Sequence, residues 1–260
     1  MVQIGLTLLA QRSNKTMVAN ECTIVYTWYN TPELVWLPSL DSALKTNLPI
    51  LIVDDQSTPD NLERLKRSIS NIGRVKLVVP NEKLYQVGCT HLGASHINTK
   101  YMIRMDSDDI ILSMPKIPNH QSWDIIHGRM IQSTSLDNLL EGYRANLNGS
   151  IVKTEIFKEL YSDWEMFNAY NYEYHEDLWY GFKLMFLFKD LQFIKAKERH
   201  YMAVMQGVSE LVPKRTRLGQ RVETIREVMK IYKLGSPDRF FELIKSNIKS
   251  QKEIFKTLNN

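Results

Sequence analysis

Short apolar runs alternate with amphipathic stretches along most of the chain. Thr23–Tyr29 (TIVYTWY) is β-branched and aromatic, the composition of a strand, and ends at Asn30-Thr31-Pro32, where Thr31 can cap a helix carrying Pro32 in its first turn. Pro38 predicts that this helix is kinked or starts late. Pro49–Val53 (PILIV) is wholly apolar, as in a strand buried on both faces, and runs into Asp54-Asp55-Gln56-Ser57-Thr58-Pro59-Asp60. Ser57 or Thr58 would then cap a helix reaching about Ser70, with Leu62, Leu65, Ile69 and Ile72 on one face. Val75–Val79 predicts a third strand, Val87–Ile97 a helix, and Lys100–Met105 (KYMIRM) a fourth strand ending in Asp106-Ser107-Asp108-Asp109. Asp124–Ile131 and Gly149–Val152 read as further strands, and Thr154–Leu160 as a helix. This alternation predicts an α/β fold, a mostly parallel Rossmann-like sheet with helices on both faces.

Two amphipathic helices close the chain, about Leu218–Lys233 and Pro237–Leu258. Gly235-Ser236-Pro237 between them reads as a C-cap glycine followed by an N-cap serine and a first-turn proline. Charge separates this region from the rest. Residues 1–194 carry 18 Lys and Arg against 22 Asp and Glu, whereas residues 195–260 carry 15 against 7. A basic tail favours phosphate, nucleic acid or anionic lipid nearby, although solvated helix faces often have the same composition. The expected organisation is an N-terminal extension over 1–21, a main domain over 22–209 and basic helices over 210–260. The main domain divides near residue 110 into two halves.

At 43% hydrophobic and 24% charged over 260 residues, disordered and collagen-like classes are excluded. Two cysteines, Cys22 and Cys89, are too few for a zinc ribbon or a disulfide framework, so a metal site would rest on carboxylates and histidines. Ile4–Ala10 lacks a basic leader, and Leu184–Phe188 is fenced by Lys183 and Lys189, so neither reads as a membrane span. The expected location is cytoplasmic, with the basic helices able to meet a membrane or nucleic acid.

The chemistry gathers at strand ends. In an open α/β sheet ligands bind beyond the carboxyl ends of the strands, and here those ends carry Asn30, Asp54 and Asp55, and Asp106, Asp108 and Asp109. Unpaired carboxylates are costly to bury, so several at the ends of apolar strands point to a metal, a ribose or a base. Asp106 and Asp108 can present two carboxylates to one hard divalent cation, which retains water and substrate phosphates as further ligands.

The order of these pieces resembles the family-2 GT-A glycosyltransferases, over roughly residues 22–209. The resemblance rests on TIVYTWYN, ILIVDDQSTPD, YMIRMDSDD and HEDLWYGFK, with GSIVKTEIFKELY similar to the family's short strand and helix ahead of the catalytic pair. It implies a nucleotide-binding half over about 22–110 and an acceptor half over about 111–209, a nucleotide-diphosphate sugar donor, UDP favoured, and Mn²⁺ or Mg²⁺. Thr27 and Asp55 would contact the base, Asp106 the ribose or metal, and Asp108 would be the direct metal ligand. Tyr29, Asn30, Asp54 and Arg104 would complete the donor site. Asp177 would be the general base that deprotonates an acceptor hydroxyl for inverting attack, with Glu176 supporting or replacing it. Two departures stand out. Thr90-His91-Leu92-Gly93 replaces an Arg-Asn pair ahead of a glycine, and YMAVMQGVS lacks the histidine near a closing serine, leaving His200 as the candidate third metal ligand.

Aromatic residues around the expected base, among them Trp164, Phe167, Tyr170, Tyr172, Tyr174, Trp179 and Tyr180, suit a glycan acceptor, though such rings also serve as core. A saccharide, lipid-linked glycan or cell-wall polymer ranks first. A hydroxymethylated DNA base ranks second, because rings beside a basic tail also stack bases. Lys214-Arg215-Thr216-Arg217 is read either as a basic loop closing over the diphosphate or as exposed linker. A nucleotidyltransferase would carry a glycine-rich loop after the first strand, and TWYNTPELVW has no glycine. A non-catalytic nucleotide-sugar-binding module is the remaining alternative.

Overall fold

The structure is a computed structural model, and it describes residues 21–114, 125–127, 147–169, 176–187, 191, 193–195, 201–202 and 214–245. The proposed N-terminal extension lies almost wholly outside them, as does the chain beyond 245. Nine strands are described: β1 (Cys22–Trp28), β2 (Ile50–Asp54), β3 (Val75–Val78), β4 (Tyr101–Asp106), β5 (Ile110–Ile111), β6 (Ile125–His127), β7 (Ile151–Lys153), β8 (Phe193–Lys195) and β9 (Tyr201–Met202). The described helices are α1 (Glu33–Leu44), α2 (Pro59–Ile69), α3 (Tyr85–Ser95), α4 (Thr154–Leu160), α5 (Trp164–Ala169), α6 (Glu176–Leu187), α7 (Lys214–Ile231) and α8 (Pro237–Lys245).

Seven strands form one sheet in the order β3-β2-β1-β4-β7-β6-β8, and β5 and β9 form a separate antiparallel pair. β3, β2, β1 and β4 are mutually parallel, β7 runs antiparallel to both its neighbours, and β8 is parallel to β6. Only β7 is therefore reversed within a mostly parallel sheet, the α/β arrangement that the sequence pattern predicts.

Side-chain alternation divides the core between the two faces. Val25, Leu51, Val53 and Met102 pack with residues of α3, α4 and α6. Ile24, Tyr26, Ile50, Ile52 and Ile103 pack with Trp36 and Leu40 of α1 and Leu65 and Ile69 of α2. All residues of β1 and β2 are buried, which is why apolar residues dominate their sequences.

Several local expectations change. Thr31 does not cap α1, whose N-cap is Pro32, and the Thr31 hydroxyl instead bonds that of Ser107. Thr58 precedes α2 without a side-chain cap bond, while the Ser57 hydroxyl accepts the Asn30 N–H at 2.8 Å. Both hydroxyls are diverted from capping to tying strand-end loops together. α1 accommodates Pro38 without interruption. β8 is too short to register as a period-2 pattern and was not expected.

The two C-terminal helices are built into the packing. Ile225, Val228, Met229, Phe240 and Phe241 belong to the same core cluster as Trp179 and Phe182 of α6, and the Phe182 and Phe240 rings meet edge to face at 5.1 Å. The reversal after α7 comes at Lys233, with φ 53°, where the Leu234 N–H closes on the Met229 carbonyl at 2.8 Å. Gly235 follows with φ 99°, and Ser236 Oγ accepts the Arg239 N–H as an N-cap. Lys214–Arg217 is the first turn of α7, so it is neither loop nor linker. No helix among the described residues is long and apolar enough to cross a membrane.

α3 lies close on β1 because Gly93 has no side chain. A Cβ there would stand 2.4 Å from Cγ1 of Val25, a stiff β-branched residue in a fully buried strand. Gly93→Ala should therefore destabilise the fold by about 1–3 kcal/mol despite alanine's better helix propensity, read as a lower midpoint in thermal unfolding. An unchanged or higher midpoint would mean that α3 can lift from the sheet without loss.

Candidate active site

Because β1, β2 and β4 are parallel, their carboxyl ends open on one edge. A cleft of about 440 Å³ lies there, lined by Thr27, Trp28, Tyr29, Asp55, Lys83, Tyr85, Gln86, Cys89, Asp106 and Ser107. Thr27, Tyr29, Asp55 and Asp106 are thus brought together as expected from the sequence.

Asp106 ends β4 and gathers donors from four parts of the chain. Its Oδ1 accepts from Gln86 Nε2 at 2.7 Å, Thr27 Oγ1 at 3.3 Å and Arg104 Nη2 at 3.3 Å. Its Oδ2 accepts from Asn148 Nδ2 at 3.0 Å, and its own N–H donates back to Asn148 Oδ1 at 3.0 Å. Asn148 Nδ2 also donates to Asp109 Oδ2, and Ser39 Oγ donates to the Asp109 carbonyl. The acidic loop is therefore clamped on both sides of Asp108.

Asp108 itself meets only its own backbone N–H among the described residues. Burial, and then the charge of Asp106, push its carboxyl above the ordinary aspartate value. A partly desolvated, repelled carboxylate beside a saturated one suits a hard divalent cation. Among the described residues no three His, Cys, Asp or Glu side chains are grouped to hold a metal. The chain would thus supply part of a coordination shell, to be completed by water and ligand phosphates. His200, expected as a third ligand, lies outside the described residues.

The other expected donor residues are placed differently. Asn30, at φ 48°, is a brace: its Oδ1 accepts the Thr58 N–H at 2.8 Å and Asn61 Nδ2 at 3.2 Å, and it does not line the cleft. Asp54 is fully buried, off the cleft wall, and accepts the Ser57 N–H at 2.8 Å. Arg104 is also absent from the cleft wall, at 2% exposure, with Nη2 3.0 Å from Glu176 Oε1 as well as near Asp106. Glu176 and Asp177 open α6; the Asp177 side chain lies outside the described residues.

Asp55 faces the cleft. Burial raises its carboxyl, opposed by backbone N–H bonds from Leu84 and Tyr85, the Lys83 charge and the Cys89 thiol. Both Cys89 and Cys22 are free and buried thiols, each pushed well up by burial. Sequence reading missed four residues here. Lys83 Nζ sits 3.1 Å from the Tyr29 ring centroid, a cation over an aromatic face. Tyr85 lines the cleft at φ 58°, a conformation unusual for an aromatic residue. Gln86 and Asn148 carry no motif, since their roles follow from long-range placement. The replacement Thr90-His91 does not reach the cleft: Thr90 Oγ1 bonds the Gln86 carbonyl at 2.8 Å, and partly buried His91 bonds the backbone of Lys158, with burial lowering its pKa. Of the aromatic set, Phe167, Trp179 and Tyr180 are core residues, while Tyr170, Tyr172 and Tyr174 lie outside the described residues.

Residues 23–121 match the family model described as Glycosyl transferase family 2. Over this segment, a little over a third of the chain, the protein is similar to glycosyl transferase family 2. Solved structures share the fold at low identity. A mannosyltransferase from Pyrobaculum calidifontis, in complex with GDP-Man and Mn²⁺, superposes with a TM-score of 0.54 at 13% identity, covering 83% of this chain and 66% of that one. S. aureus TarS residues 1–349, in complex with UDP-GlcNAc, gives 0.53 at 16% identity over 80% and 65%. A longer TarS structure gives 0.52 at 13% identity over 90% and 44%. The chain thus spans between 44% and 66% of the length of these solved chains. No curated protein matches the sequence. The matched segment and the fold together give the GT-A architecture that the motifs imply, and every residue lining the cleft lies within that segment.

The raised Asp108 carboxyl sets a pH-dependent stability. Its cost to folding is absent below the ordinary carboxylate value and grows as pH rises from there through the raised folded value. Asp108→Asn should raise the thermal midpoint by about 1–3 °C at pH 7, with the difference closing below about pH 4. A less stable variant at pH 7 would show that the wild-type carboxylate has a favourable partner.

Proposed function

We propose that the protein transfers one sugar from a nucleotide-diphosphate donor, a UDP-sugar most favourably, to an acceptor hydroxyl with inversion. The observation that carries this reading is the clamped acidic loop beside the strand-end cleft, in which Asp106 and Asp109 are held by the protein and Asp108 is left for a ligand. It occurs within the segment similar to family 2, and neighbours of the same fold hold UDP-GlcNAc or GDP-Man with Mn²⁺.

Thr27 and Asp55 would orient the base at the floor of the cleft, where Asp55 is already fixed by the Leu84 N–H at 2.7 Å. Tyr29 and Tyr85 offer aromatic surface beside it. Asp108, with Asp106 Oδ2 and His200, would hold Mn²⁺ or Mg²⁺, which when bound neutralises charge on a diphosphate leaving group. Asp177, near the start of α6, would take the proton from the acceptor hydroxyl, and Glu176 would support it. Base and diphosphate contacts on separate segments suit attack on the anomeric carbon opposite the leaving group. A saccharide, lipid-linked glycan or cell-wall polymer is the acceptor class this reading favours.

Calorimetric titration of UDP, GDP, CDP and dTDP, with and without Mn²⁺, tests the donor site. Metal-dependent binding of one nucleotide, lost in Asp108→Asn, is expected; no binding by any of them would defeat the assignment. Asp177→Asn should keep that binding within about twofold while lowering sugar transfer at least about a hundredfold. Retained transfer would remove Asp177 from the role of base.

A further inference from the structure

We propose that Arg104 is a positioning residue that couples the donor cleft to the start of the helix bearing the base. The inference rests on the transferase reading above and extends it to a residue that touches neither donor nor acceptor. Arg104 and Asp106 share one face of β4 by strand alternation. The guanidinium is almost wholly buried, and its Nη2 stands 3.3 Å from Asp106 Oδ1 and 3.0 Å from Glu176 Oε1. A guanidinium stays charged at any working pH, so this buried cation is held between two carboxylates and binds each to the other. One of them borders the cleft. The other is the first residue of α6 and immediately precedes Asp177.

Charge shared in this way makes the two sides interdependent. Neutralising Glu176 moves the guanidinium's attraction toward Asp106, where it competes with any cation that Asp106 would help to hold. Metal-dependent nucleotide binding then weakens through a residue outside the cleft. Base contacts at Thr27 and Asp55 stay in place, so metal-free binding does not change. Lysine at 104 keeps the charge but loses the planar fork, and a single ammonium on a shorter stem cannot hold both carboxylates in the same geometry. It should therefore produce the same selective loss.

The test is calorimetric titration of the full chain with UDP, or whichever nucleotide diphosphate the wild type binds, with and without Mn²⁺. Wild type, Glu176→Gln, Arg104→Lys and the double variant are compared, with thermal unfolding followed on each. Arg104→Met is avoided because it strips two carboxylates of their cation at once; if Arg104→Lys unfolds, Glu176→Gln and Glu176→Asp carry the measurement. Each single variant should weaken Mn²⁺-dependent binding about five- to tenfold, leave metal-free binding within about twofold, and show no further loss when combined. Folded single variants that bind as wild type, losses that multiply in the double variant, or equal losses with and without Mn²⁺ would each overturn the coupling. Absence of nucleotide binding by the wild type would overturn the transferase reading and this proposal with it, so the two failures are told apart.

Discussion

The carboxylate of Asp106 is the point on which the site is assembled. A charged group at the end of a buried strand is tolerated only when its lone pairs are met, and here the donors come from β1, α3, β4 and the residue leading toward β7. Each donor arrives on an element whose position is already set by the sheet. The carboxylate therefore acts as a common reference for strand, helix and loop, and the neighbouring acidic residue inherits a fixed location without needing a partner of its own.

How far the fold was legible follows from how local its causes are. β1, β2 and β4 are read directly because burial on both faces leaves them dominated by apolar and β-branched residues, with few polar side chains among them. α4 is read to the residue, since a strand-to-helix change at Thr154 is marked in the sequence itself. Helix starts were less legible: Thr31 and Ser57 have capping chemistry, yet their hydroxyls are claimed by partners brought up from distant loops. The same limit governs the site. Thr27, Asp55 and Asp106 stand at strand ends and could be named from order alone. Asn30, Asp54 and Arg104 stand equally near those ends, but one braces a turn, one caps it, and one is buried between carboxylates. Gln86, Asn148 and Lys83 could not be named, because nothing local distinguishes a glutamine aimed at a carboxylate from one in solvent.

A second buried polar cluster fixes the helix that carries the proposed base. Lys183 of α6 pairs with Asp163 at 3.0 Å and donates to the Leu160 carbonyl at 2.6 Å, while Tyr232 just after α7 donates to the same Asp163 and accepts from Trp179 Nε1 at 3.1 Å. Truncating one member of such a cluster leaves the others desolvated and unpaired, so its geometry is held tightly. This explains why helices that read as a basic appendage from charge alone are joined to the core: their apolar residues and one phenol close over α6, while Arg226, Lys230 and Arg239 lie exposed.

The reversed strand β7 carries a further meaning. Because it runs against β4, the chain enters it from the edge where the cleft opens, and Asn148 is delivered there with the Gly149 N–H bonded to the Arg104 carbonyl at 2.8 Å. The amide that steadies the acidic loop is thus encoded beyond residue 121, where the family match ends. Hydrogen bonds from Asn148 to Asp106 and Asp109 cross the division expected near residue 110. A fragment ending near residue 110 would keep Thr27, Asp55, Asp106 and Asp108 and lose the amide that clasps the acidic loop, so the cleft is complete only when the chain on both sides of that point folds together.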